Sequence, residues 1–243
     1  MSKNIKMICQ IIAGSHLFGL ETPESDIDYR GVFINADYQE ILGLNEHKII
    51  KKESEDLLFF ELRHYLSHLK KSNVSSIELL FAENFQTITE EFKIIQENKY
   101  SLIDSNYLFS SLTGYIQGEL RLANGERTGA LGSKRKAQIE KYGFSPKNFS
   151  HLIRLAYCGE MFFKNSIFPV NLKGHEIHEL IYKIKTQPQN YSKSDMNLLS
   201  QDRIARLGDA YESRGVSYRF DVELANKLCL RFYLPFLEGI NIE

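Results

Sequence analysis

The stretch Gly14-Ser15-His16-Leu17-Phe18-Gly19-Leu20-Glu21-Thr22-Pro23-Glu24-Ser25-Asp26-Ile27-Asp28-Tyr29-Arg30-Gly31 constrains the chain more than any other. An apolar run, Ile5 to Ala13, reads as a strand that ends in the Gly-Ser pair. Ten residues lie between Ser15 and Asp26, and Asp28 follows two positions later in a second strand-like run, Asp26 to Ile34. Alternation along a strand sends side chains i and i+2 to one face, so the two carboxylates are expected to project together. Like charges that close call for cations between them, and oxygen ligands suit Mg²⁺. The glycine permits a tight turn and close backbone approach, while exposed N–H groups and the Ser15 hydroxyl suit phosphate oxygens. A phosphate cradle beside paired carboxylates is equipment for phosphoryl or nucleotidyl transfer.

Gly-Ser, a spacer of about ten residues and Asp-x-Asp together resemble the signature of the DNA polymerase β-like nucleotidyltransferase superfamily. With Gly19, Pro23, Ser25 and Asp28-Tyr29-Arg30-Gly31-Val32-Phe33, the stretch is similar to one branch: nucleotidyltransferases associated with RNA repair in bacteria and phages. The resemblance implies a small mixed-sheet α/β (α+β) core followed by a helical domain. The run of strand-like and helical segments over roughly the first 85 residues matches such a core, and the chain turns helical from about residue 88. The expected division is 1–88 for the core and 89–243 for a helical domain closing over the nucleotide.

The predicted elements after residue 34 begin with Tyr38 to Leu44, a brief helix or lid, and a weak strand from His47 to Lys52. A short apolar strand starts at Asp56 and enters a helix over 61–71 that buries Leu62, Tyr65, Leu66 and Leu69. Ser75-Ser76 is expected to cap a short helix over 77–81. Further helices are predicted over 89–104, 106–123, 133–142, 146–165, 174–186, 194–213 and 221–237.

Superfamily enzymes carry a third acid near the Asp-x-Asp strand, and the candidates here are Asp56 and Glu61. Their odd spacing puts them on opposite strand faces, so only one joins Asp26 and Asp28 easily. Asp56, at the head of the strand, is favoured; Glu61 stands at a helix start, where a carboxylate is often merely structural. The resemblance implies that Asp26, Asp28 and Asp56 hold two Mg²⁺ ions (Mn²⁺ being an alternative) and that Gly14 and Ser15 grip the phosphates of an NTP, with ATP favoured. The acceptor it implies is an RNA end. The alternatives are transfer to a protein or small molecule, and a non-catalytic nucleotide- or RNA-binding module.

In the helical half, Lys147, His151 and Arg154 fall within about 60° of one another on a helix. They resemble a motif of the same branch, which makes them candidates for neutralising nucleotide phosphates. The segment from Asn124 to Lys136 has three glycines and four basic residues, but no Gly-Lys-Ser/Thr, which excludes a Walker-type loop. It reads equally as a basic acceptor-contacting loop or a plain solvated one. His64/His68 and His175/His178 lack the further ligands of a metal site. The aromatic residues, thirteen Tyr and sixteen Phe, read as core.

Composition sets the outer bounds. At 243 residues, 43% hydrophobic and 25% charged, the chain is an ordinary globular protein, able to bury roughly 75% of its unfolded surface. A net charge of -1 gives no bulk attraction for nucleic acid, so RNA contact requires a local basic patch. Cys9, Cys158 and Cys229 sit in apolar runs without metal spacing, consistent with a reduced, cytoplasmic setting. No apolar run is long enough to span a bilayer.

Overall fold

The computed structural model describes residues 5–37, 41, 49–52, 56–126 and 132–238. Five strands form one mixed sheet: β1 (Ile5–Ile12), β2 (Tyr29–Asn35), β3 (Ile49–Lys52), β4 (Leu57–Glu61) and β5 (Thr87–Ile88), in the order β3-β4-β2-β1-β5. β2 is antiparallel to β1 and parallel to β4, so the centre of the sheet is mixed. This is the small sheet core implied by the sequence. β5, a two-residue edge strand pairing with Cys9 and Gln10, has too few residues to show a periodicity and was not foreseen.

Short helices fill the rest of this part. α1 (Gly14–Leu17) starts at the Gly-Ser pair itself, directly after β1. α2 (Leu62–Lys70) buries Leu62, Tyr65, Leu66 and Leu69, the stripe read from the sequence, at about 1.5–3 kcal/mol of stabilisation each. α3 (Val74–Leu80) is capped by Asn73, whose side chain accepts from Ser76 N–H, and not by the Ser75-Ser76 pair. The cap therefore comes earlier, and the helix begins one turn before the predicted start. α4 (Glu90–Glu97) breaks into a 3₁₀ turn at Lys99–Leu102, where one continuous helix over 89–104 was expected. The Tyr38–Leu44 segment lies outside the described residues except for Ile41, as do residues 127–131 of the glycine-rich loop.

The remaining helices match the predicted spans within about two residues: α5 (Ser105–Ala123), α6 (Ser133–Tyr142), α7 (Pro146–Asn165), α8 (Glu176–Thr186), α9 (Lys193–Glu212) and α10 (Val222–Leu237). The chain forms two compact units, residues 1–108 with 218–243, and residues 109–217. This partition differs from a single break between 88 and 89. The change of composition at residue 88 marks where strands give way to helices, but α4 packs against β1 and α10 against α2. Phe92 and Ile95 of α4 are fully buried, and the Phe92 ring stands 6.0 Å from Tyr65 of α2.

The returning C-terminal segment is stitched into the first unit by backbone. Ser105 N–H donates to Tyr218 O at 3.1 Å, Tyr218 N–H to Ser105 Oγ at 2.9 Å, and Asp221 N–H to Ser101 O at 2.8 Å. The Tyr100 and Tyr218 rings stack at 4.9 Å. α10 then seals the beginning of α2: Tyr233 OH donates to Glu61 Oε1, and the Arg63 guanidinium lies 5.8 Å from the Tyr233 ring centre.

The second unit is built around α7, which begins with Pro146 at its first turn, where the missing N–H is no loss. Phe149, Leu152, Ile153, Leu155 and Ala156 are fully buried. At Gly159 a Cβ would come within 2.7 Å of Leu112 and 2.8 Å of Leu207, so the absent side chain lets α5 and α9 close onto α7. α9 is opened by a capping box, with Ser192 and Asp195 each bonding the other's backbone N–H. Glu160, buried on α7, is bonded to Lys164 at 2.6 Å and stands 3.8 Å from Arg203 of α9.

Candidate functional site

The site begins where β1 ends. Gly14 has φ of +62°, a left-handed conformation that glycine adopts without steric cost, and it turns the chain into α1. The turn is tied by Leu20 N–H donating to Ser15 O at 2.9 Å and Gly19 N–H to His16 O at 3.3 Å. The glycine has a second reason. A Cβ built on Gly14 would overlap Asp28 Oδ2 and lie 3.1 Å from Asp28 Cγ. The carboxylate of Asp28 thus occupies the space beside the Gly-Ser turn that any other residue would fill.

Asp28 is positioned from both sides. Ala13 N–H donates to Asp28 O at 2.8 Å, which joins it to the end of β1. The next residue, Tyr29, donates its N–H to Asp56 O at 2.9 Å. The parallel ladder pairs Tyr29 with Leu57, so one step back in register sets Asp28 beside Asp56 at the same end of the sheet. Asp56 itself has φ of +42°, uncommon for a residue with a side chain and costing about 1–3 kcal/mol. The strain is borne by the residue whose backbone leads into β4 and accepts the Tyr29 N–H.

Asp26 is placed differently from expectation. The paired strand starts at Tyr29, not at Asp26, because the bond of Tyr29 to Asp56 is where the ladder with β4 begins. Strand alternation therefore does not set the direction of Asp26, which is exposed on the approach to Asp28. Among the described residues no three His, Cys, Asp or Glu side chains converge as a metal-holding group. The placement still fits Mg²⁺, which usually keeps several waters and takes one or two carboxylates together with substrate phosphates. Asp28 and Asp56 supply such a pair of positions.

Glu61 lies at the opposite end of β4, paired with Phe33 and four ladder steps beyond Leu57. At about 3.3 Å per residue, that separates it from Asp56 by more than 10 Å. Its carboxylate is 4% exposed and fully employed. Oε2 accepts from Arg63 N–H at 2.9 Å and His64 N–H at 3.4 Å, which caps α2, while Oε1 accepts from Tyr233. Burial pushes its pKa up, against the opposing pull of Arg63 and the two backbone donors. Of the two candidates for the third acid, the structure brings Asp56 to Asp28 and makes Glu61 a helix cap.

Lys147, His151 and Arg154 lie in the second unit on α7. Burial increases along the row: Lys147 is exposed, His151 half-buried and Arg154 only 7% exposed. His151 Nδ1 lies 3.5 Å from Glu119 Oε2, and its ring meets Tyr115 edge-on at 5.3 Å. Glu119 was missed in the sequence. It stands 32 residues from His151, so no local spacing links them, and it reads there as one more charge on a helix.

A model of the family described as the RNA repair pathway DNA polymerase beta family matches residues 1–167. The chain belongs to this family. The span that matches this polymerase β family of RNA repair contains the whole sheet, the Gly14–Asp28 turn, Asp56 and the basic row of α7. It stops before α8 and before the returning segment that carries Tyr233. No curated protein matches the chain. Among the described residues no helix is long and apolar enough to cross a membrane.

Proposed function

We propose that the protein is a metal-dependent nucleotidyltransferase that moves a nucleoside monophosphate from an NTP, ATP foremost, to an acceptor hydroxyl on an RNA end. The observation that carries this reading is the Asp28 carboxylate lying in the space left by Gly14, with Asp56 as its register neighbour. Family membership supports nucleotidyl transfer in RNA repair as the setting.

Asp28 and Asp56 would hold Mg²⁺ (or Mn²⁺), with exposed Asp26 joining once substrate is present. The metal would polarise the phosphate oxygens and ease loss of the proton from the acceptor hydroxyl. Ser15 would orient the terminal phosphates through its hydroxyl and N–H, the backbone there being kept close by the lack of a side chain at Gly14. The acceptor oxygen attacks the α-phosphorus, a new P–O bond forms, and the bond to pyrophosphate breaks. Lys147, His151 and Arg154 are read as phosphate-neutralising side chains of the second unit. Glu61 has no part in this chemistry, since its carboxylate is committed to α2 and α10.

The test is incubation of the protein with Mg²⁺ and each α-labelled NTP over total RNA and total cell protein, beside an Asp28→Asn variant. Label in RNA, lost in the variant, is the expected result. Label in protein instead of RNA would replace the acceptor, a reading that the net charge of -1 favours. Steep salt dependence of RNA binding would speak for the RNA acceptor. Nucleotide binding without pyrophosphate release would leave a non-catalytic module.

A further inference from the structure

Behind His151 the second unit carries a hydrogen-bonded network, Ser145, Asn148 and Glu119, to which the proposed chemistry assigns no role. Ser145, fully buried, donates through Oγ to Asn148 Oδ1 at 2.6 Å, and Asn148 Nδ2 donates to Glu119 Oε2 at 2.7 Å. That same oxygen faces His151 Nδ1 at 3.5 Å. The network is anchored at its far end by Ser145 N–H donating to Ala123 O at 2.9 Å, which joins the start of α7 to the end of α5. Glu119 has a side chain only 12% exposed, while His151 keeps 30% exposure. Burial pushes the Glu119 carboxyl up, but His151, Asn148 and Arg135 together outweigh it and hold the pKa below the usual value. The carboxylate is therefore charged and fixed, and the imidazole is its exposed end.

We propose that Glu119 is a positioning residue for His151, holding the ring with a proton on Nδ1 so that Nε2 is the atom presented to a phosphate oxygen of the ligand. This rests on the nucleotidyltransferase reading for the identity of the ligand, but not for the ring geometry. A histidine ring has two distinct nitrogens, and the bond made by one decides what the other offers. With Nδ1–H taken by Glu119, the protonated ring donates from Nε2. Tyr115, 47% exposed, packs against the ring and limits its swing. The ligand chemistry is a phosphate oxygen, whether of a nucleoside triphosphate or of an RNA strand.

Long-range ¹H–¹⁵N NMR of the full-length protein, with His151 assigned by a His151→Gln variant, tests this directly. The expected result is an Nδ1–H tautomer in the neutral ring, a preference lost in Glu119→Gln and restored in Glu119→Asp. A neutral ring with its proton on Nε2 and none on Nδ1 in the unaltered protein overturns the positioning role, and no variant needs to fold for that outcome. Separate titrations with Mg-ATP and with a short single-stranded RNA then follow the Nε2 signal. Movement with one of them identifies the source of the phosphate, and affinity should fall about tenfold in Glu119→Gln at unchanged melting temperature. If both ligands bind and neither moves Nε2, the phosphate contact is overturned while nucleotidyl transfer stands. If label transfer fails but Nε2 responds, the proposed reaction fails and the contact stands.

Discussion

Gly14 lacks a side chain where Asp28 places its carboxylate, so the turn and the acid share one volume. Replacing Gly14 by Ala therefore does two things at once. It imposes strain at a φ of +62° and drives a methyl group into Asp28. The variant is expected to lose about 1–3 kcal/mol of stability, with an unfolding titration as the check. Nucleotidyl transfer should fall by far more than the melting temperature accounts for, because the displaced group is Asp28 itself.

Asp28→Asn and Asp56→Asn keep shape and remove charge. Each is expected to reduce pyrophosphate release by about 10³-fold, the loss of about 4 kcal/mol of metal-dependent stabilisation. Circular dichroism should remain that of the parent. Glu61→Gln should retain transfer within a few-fold, and an Asp56-like collapse of its rate would reverse the assignment of the third acid.

Glu61 also predicts a dependence on pH. Its pKa is raised in the folded state, so the group contributes stability that is complete below the ordinary glutamate value of 4.5 and fades as pH rises through the folded value. Stability of the parent relative to Glu61→Gln should therefore decline as pH is raised from 4.5 upward, measured by urea unfolding at several pH values. Tyr233→Phe removes the donor to a buried carboxylate and should cost about 1–3 kcal/mol. A Tyr233→Phe protein as stable as the parent would show that α10 is held by other contacts.

In the second unit, Glu160 is the buried carboxylate between Lys164 and Arg203. Glu160→Ala leaves Arg203, whose side chain is 11% exposed, without its buried counter-charge. A loss of about 3–5 kcal/mol is expected. Substituting both partners with apolar residues should recover much of it, as a double-mutant cycle would measure.

What the sequence made legible was local. The stripe Leu62, Tyr65, Leu66 and Leu69 has helical spacing, and it is the buried face of α2. The Gly-Ser turn and the two acids lie within 15 residues of one another, and their chemistry can be read from residue type and order alone. The features that stayed hidden depend on partners far along the chain. The left-handed backbone of Asp56, the pairing of Glu61 with Tyr233 across 172 positions and that of Glu119 with His151 leave no periodicity behind. Where Asp26 was read as part of a strand, alternation of residue type was present but the hydrogen-bonding neighbour was not.

The bond between Tyr233 and Glu61 also orders events in time. During synthesis the sheet, α2 and the buried Glu61 emerge first, and the whole second unit must follow before Tyr233 leaves the ribosome. Until then the cap of α2 is exposed to water on the side that α10 later covers. The part of the protein that carries Asp28 and Asp56 is thus completed by α10, so vectorial synthesis delivers a finished first unit only after the second has been made.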